Sequence, residues 1–143
     1  MKKFIIFLIV ILIIISYITY LYLDYRADIK SAQYDNMKYE KYLDKEVNAN
    51  IVASVINRAV DNNIREEVQK SNNGVYIDNQ KSSINVQIKF LDNDKTYDME
   101  TLYNDGMDNF IKYYNQIDFK CTKIDYHKNT GRVKYMLFEQ ITQ

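Results

Sequence analysis

Proline and tryptophan are absent from the 143 residues, and glycine occurs only three times. Without proline nothing forces a helix to kink or stop, so helices must end at caps, glycines or polar turns. Cysteine and histidine occur once each, as Cys121 and His127. A single cysteine excludes an intramolecular disulfide, and with it a small secreted fold stapled by such bonds. One cysteine and one histidine cannot build a zinc site alone. An excess of either charge is missing too, with 19 basic residues against 19 acidic ones. Without Lys2 and Lys3 the balance is 17 to 19, which lacks the basic footprint of a nucleic-acid binder, so no nucleic-acid partner is expected.

Charge is also missing from one long stretch. Residues 4–23, FIIFLIVILIIISYITYLYL, hold no charged residue, no Gly and no Pro. As a helix, twenty residues at about 1.5 Å each reach roughly 30 Å, the thickness of a bilayer's hydrocarbon core. A cleaved signal would have a shorter apolar run ending in small residues. Here the run leads into bulky Tyr20, Leu21, Tyr22 and Leu23, and no lipidation cysteine follows it. The expectation is an uncleaved signal-anchor, with the membrane as first partner through residues 4–23. Tyr17, Tyr20, Tyr22 and Tyr25 gather at one end, where aromatic rings favour the interface. Lys2 and Lys3 favour a cytoplasmic N-terminus and a domain outside the cell membrane, although Arg26 and Lys30 flank the far end as closely.

What is abundant is Ile, Lys, Asn and Tyr, a usage with A/T-rich codons that suggests a low-GC bacterium or its phage. The remaining 120 residues suit one domain with a modest core. Residues 24–44 carry a thin stripe of Ile29, Ala32 or Gln33, Met37, Tyr39 and Leu43, which predicts that the membrane helix continues as a stalk packed on the domain. It is too short and polar for a sustained coiled coil. Residues 46–69 form the best soluble helix, with Ile51, Val52, Val55, Ile56, Ala59, Val60 and Ile64 on one side. Asn48 or Asn50 caps it if a break falls there; otherwise it joins the stalk. Gly74 closes the turn after it.

The period then changes. Residues 75–77 read as a short strand. Residues 83–91 alternate, with Ile84, Val86, Ile88 and Phe90 on one face and Asn85, Gln87 and Lys89 on the other, which predicts a half-buried antiparallel strand. A turn at 92–94 and a brief return strand at 95–98 follow. Residues 99–116 step by three or four through Met99, Leu102, Tyr103, Met107, Phe110, Ile111 and Tyr114, one helix with Gly106 inside it. Residues 119–127 and 132–140 make a hairpin across 128–131, with a bulge where the apolar phase slips between Cys121 and Ile124. Val133, Tyr135 and Leu137 on one face and Met136 and Phe138 on the other place the last strand centrally or under cover on both sides. The expected class is therefore α+β, an amphipathic helix on a 4–5-stranded antiparallel sheet with one inserted helix. The expected divisions are 1–3 tail, 4–23 transmembrane helix, 24–46 stalk and 47–143 domain.

Two resemblances carry chemistry. Phe90-Leu91-Asp92-Asn93-Asp94-Lys95-Thr96 is similar to the DxDxT motif of haloacid-dehalogenase-like phosphotransferases. That resemblance implies Asp92 as nucleophile, Asp94 as acid/base and a Mg²⁺ between them. The motif needs a strand buried on both faces, whereas Asn85, Gln87 and Lys89 make this strand half-polar, as a hairpin turn would have it. The alternation Asp92, Asp94, Thr96, Asp98 resembles a calcium loop, but Tyr97 and Tyr103 stand where an EF-hand has Gly and Glu. A Cys121–His127 nucleophile pair would lie roughly 20 Å apart along a straight strand. Cys121 is better read as a small buried apolar residue and His127 as an exposed one.

The layout of an apolar N-terminal helix running into an amphipathic one, then a sheet, resembles type IV pilins and pseudopilins. Those families have Gly before the cleavage site and Glu five residues into the mature helix. Lys3 and Leu8 hold those places here. No catalytic, cofactor or metal residue is assigned. The expected role is a membrane-anchored interaction domain that binds another protein or assembles with itself, with a pilin-like subunit and a tethered phosphohydrolase as alternatives.

Overall fold

The computed structural model describes residues 2–91 and 95–141. Helix α1 (Lys2–Glu40) is continuous for 39 residues, about 58 Å at the usual rise. Nothing in its sequence interrupts it, and no part of the domain covers its apolar half. Phe4 is 65% exposed and Leu23 60% exposed. Its far end docks instead: Ala32, Asn36 and Tyr39, spaced by four and three, are buried. The stripe therefore runs through Asn36 rather than Met37 and Leu43, both of which are exposed.

The stalk does not run on into the next helix. After Glu40 the chain turns, Asp44 takes a positive φ of 58°, and its N–H donates to the Cys121 carbonyl at 2.8 Å. Aspartate tolerates that backbone better than most residues. The corner leads into β1 (Glu46–Asn48), and Asn48 caps α2 (Ala49–Arg65) by accepting from Ile51 N–H at 3.1 Å. Helix α2 buries Val52, Ala53, Val55, Ile56, Ala59, Val60 and Asn63, while Ile64 points outward.

The strands β2 (Asn85–Lys89), β3 (Thr96–Asp98), β4 (Asp118–Tyr126) and β5 (Val133–Gln140) join β1 in one sheet of order β1-β4-β5-β2-β3. The expected wholly antiparallel sheet is corrected here. Strand β5 runs parallel to β2, with Val86 opposite Met136 and Ile88 opposite Phe138. A parallel pair needs a long crossover, and β3, the helices and β4 supply it. Strand β5 is central, which accounts for its apolar residues on both faces. Met136 and Phe138 face the helices, and half-buried Tyr135 and Leu137 lie on the open face. The bulge falls between Cys121 and Lys123. Residues 75–77 form no strand, only a single bridge between Lys70 and Tyr76.

The single inserted helix is also corrected, to α3 (Met99–Asp105) and α4 (Met107–Tyr114). Gly106 between them adopts φ 94° and ψ 123°, a conformation reserved for glycine. The break lets Phe110 and Tyr114 meet Phe90 and Phe119, with Phe90 and Tyr114 ring centres 4.7 Å apart. The core lies between α2–α4 and the inner sheet face, with Val86, Ile88, Phe119, Cys121, Met136 and Phe138 fully buried. Each large apolar side chain buried there stabilises by roughly 1.5–3 kcal/mol.

Candidate functional site at the seam between stalk and domain

The stalk meets the domain through polar chemistry. From its place in the stripe, the Asn36 amide donates to the Gly131 carbonyl at 2.8 Å and accepts from the Val133 N–H at 2.8 Å. It thus pairs with the β4–β5 hairpin as a strand residue would. Arg132 donates to Asp35 at 3.0 Å and to Ser31 Oγ at 3.2 Å. Tyr126 donates to Glu40 at 2.9 Å, and Arg58 of α2 donates to the Lys38 carbonyl at 3.0 Å. Tyr39 is buried under these contacts, and burial pushes its hydroxyl up to about 12. It stays protonated at neutral pH and cannot serve as a base.

A cleft of about 230 Å³ opens along this seam. Lys38, Arg58, Arg65 and Arg132 line it against Asp35 and Asp61, over a floor of Tyr39, Ile84 and Val133. Several of these groups bond one another or the backbone: Arg132 and Lys38 hold Asp35, and Arg65 donates to Asn62 at 3.0 Å. The arrangement suits orienting and holding polar groups, and it joins three elements across sequence separations of 20 to nearly 100 residues.

The same device recurs on α2. Asn63 donates to the Ile84 carbonyl at 2.7 Å and accepts from Ile84 N–H at 2.8 Å, pairing with the backbone just before β2. The loop before it, residues 78–83, is wrapped around its own side chains. Asn79 Oδ1 accepts from the N–H groups of Lys81, Ser82 and Ser83 at 2.9–3.0 Å. Thr130 donates to the Lys81 carbonyl at 2.6 Å, which fastens this loop to the hairpin tip.

His127, expected at the surface, is buried. Its Nε2 lies 2.7 Å from the Ser83 carbonyl. A carbonyl only accepts, so Nε2 carries the hydrogen. Nδ1 stands 3.6 Å from Asp78 Oδ1, beyond hydrogen-bond length. The Asp78 carboxylate accepts from Lys134, from Gln80 N–H at 2.7 Å and from Ser83 Oγ at 3.2 Å. The Lys134 ammonium, above all, holds its pKa below the ordinary value. The hairpin had hidden this burial from sequence reading, because loop 78–83 folds over the ring from about 45 residues away.

Cys121 lies in the core beside Phe138, as expected, and burial pushes its thiol up to about 11. His127 is held at the other end of the arm by loop 78–83, so the two are not a nucleophile pair. Asp92 and Asp94, on which both the DxDxT and the calcium-loop resemblances rest, lie outside the described residues. Asp98 of the calcium-loop alternation accepts from Gln87 at 2.7 Å across β2 and β3. Among the described residues, no three His, Cys, Asp or Glu side chains gather as a metal site would require.

Of the residues missed in the sequence, Asn36, Asn63 and Arg132, the two asparagines do leave a trace there. Ala32-Asn36-Tyr39 and Ile56-Ala59-Asn63 each place an amide at a position the helical period buries, and a buried amide must be bonded. In comparison with known proteins, no family model matches the chain, and neither a curated protein nor a solved structure matches it.

Proposed function

We propose that this chain is a single-pass membrane protein whose α+β domain acts by binding, either to another protein or to further copies of itself, and carries no catalytic chemistry. The observation that carries the reading is the contrast within α1. Its uncharged run, residues 4–23, stands clear of the domain, with Phe4 and Leu23 each at least 60% exposed, while its second half is fastened to the domain through Asn36, Asp35 and Glu40. Such exposure of contiguous apolar surface is untenable in water and natural in lipid. A helix that is both anchor and docked stalk holds the domain at a set height above the bilayer, which suits presentation of a surface. Lys2 and Lys3 support a cytoplasmic N-terminus with the domain outside.

The test has two stages. The full chain is expected to stay with membranes through alkaline carbonate washing, and a C-terminal reporter to be active outside the cytoplasm. Purified in detergent after crosslinking in cells, it is expected as a complex or an oligomer. A protein released by carbonate, or one that stays monomeric and recovers no partner, defeats the reading. Continuous α1 also suits the pilin-like alternative, and intact mass separates the two: a lost leader with N-methylation favours pilins, an unprocessed Met1 the signal-anchor.

A further inference from the structure

A cleft of about 620 Å³ lies between the first turns of the stalk and the tips of two loops. Tyr25, Asp28 and Ile29 of α1 line it on one side, Lys81 and Lys128 on the other, and Glu66 also belongs to its lining. The orientation follows from the seam. Along α1 toward the apolar segment, contacts pass from Tyr126 at Glu40, to Gly131 and Val133 at Asn36, to Arg132 at Ser31. The hairpin tip therefore points at the membrane-spanning half. Loop 78–83 is held beside it by the Thr130–Lys81 and His127–Ser83 bonds, so Lys81 and Lys128 are presented together, both exposed.

Depth makes this pairing meaningful. At about 1.5 Å per residue, the α1 wall of the cleft runs from Tyr25, roughly 3 Å beyond Leu23 at the end of the apolar run, to Asn36, roughly 20 Å beyond it. A headgroup layer extends about 5–8 Å past the hydrocarbon core. The Tyr25 mouth of the cleft thus lies at headgroup height, the hairpin tip stands above it, and the flexible lysine stems reach down toward the phosphates. Asp28 and Glu66 are the acidic members of the lining, and Arg132 is already taken by Asp35 and Ser31, which leaves Lys81 and Lys128 as the cations turned outward.

We propose that Lys81 and Lys128 bind the headgroup phosphates of anionic phospholipids in the leaflet from which the stalk emerges, so that the domain rests on the membrane as well as hanging from it. The inference rests on the anchor reading above. Electrostatic attraction of this kind is strongest for a net-negative surface and is screened by salt.

The experiment reconstitutes the full chain in nanodiscs of phosphatidylcholine alone or with phosphatidylglycerol, and follows amine acetylation of individual lysines by mass spectrometry. Lys45, beyond the far end of α1, serves as internal control. In phosphatidylglycerol discs Lys81 and Lys128 are expected to label roughly fivefold more slowly than in phosphatidylcholine discs, the factor that corresponds to ~1 kcal/mol per basic residue at an anionic surface. The difference is expected to vanish in 0.5 M salt at about the scale of screening, with Lys45 unchanged throughout. Equal labelling in the two lipids overturns the proposal while leaving the anchor intact, even if both lysines are slowed by crowding alone. Release of the protein from the discs by alkaline carbonate overturns the anchor and the proposal together.

Discussion

The amide of a buried asparagine presents one donor face and one acceptor, the same pair that a strand backbone offers its neighbour. Asn36 and Asn63 both use it so, the first on Gly131 and Val133, the second on both polar atoms of Ile84. Truncating either leaves a buried backbone N–H without a partner, which costs about 1–3 kcal/mol. Asn36→Ala is therefore expected to lower unfolding stability in detergent by about that amount. Asn36→Asp keeps the acceptor for Val133 but sets a carboxylate against the Gly131 carbonyl, so denaturation curves should show it no better than alanine. Asp78 gives a pH signature. Its folded pKa is below the ordinary 3.8, chiefly because Lys134 donates to it. The stability it contributes is present above that value and is lost as pH falls through the lower folded pKa. Asp78→Asn is expected to be less stable than the wild type by a constant margin above about pH 5, with the gap closing toward pH 2. Denaturant midpoints across that range check it. Because Asp78 is partly exposed, solvent screening keeps the margin small.

At the scale of elements, Gly106 decides how the segment after β3 folds. Periodicity runs through it from Met99 to Tyr114, and alanine is about 1 kcal/mol better than glycine within a helix. The observed φ of 94° reverses the sign. A Cβ placed there meets only Asn109 Nδ2 at 3.5 Å, so space is not the obstacle and backbone conformation is. Gly106→Ala is expected to destabilise by about 1–3 kcal/mol, measured by thermal or denaturant unfolding. A stabilised variant would mean that one continuous helix is accessible. The hairpin was legible for a related reason, since Gly131 and the phase slip after Cys121 mark its turn and bulge in the residues themselves. Its partnership with β2 was not. Parallel pairing of β5 with β2 spans some 50 residues and depends on where the crossover lands, which no local pattern encodes.

For the whole molecule, the relevant property is stiffness between membrane and domain. Polar contacts at Ser31, Asp35, Asn36, Lys38 and Glu40 bind nearly three turns of α1 to the hairpin and α2. Spin labels at Leu23 and the exposed Met37, both on α1, report the helix alone, whereas labels at Leu23 and Asn129 report the docking. A narrow distance distribution is expected for the second pair, broadening in an Asn36→Ala, Arg132→Ala double variant while the first stays narrow. Broad distances in the unmodified seam would contradict a docked stalk.

The amino-acid order by itself determined the apolar segment, the amphipathic second helix, the half-buried strand and the final hairpin, because each is a periodic pattern within about ten to twenty residues. It also indicated that Cys121 is core, since a free cysteine behaves as a small apolar residue. Only the tertiary structure decided that the stalk stops at Glu40 and turns at Asp44, that His127 is covered, and that two asparagines act as strand mimics. Each of those is settled by a partner distant in sequence: Cys121 for the corner, Ser83 for the histidine, and the hairpin and the start of β2 for the amides. Local pattern specifies which face is buried; the polar atoms left on that face are satisfied only by whatever the fold brings to them.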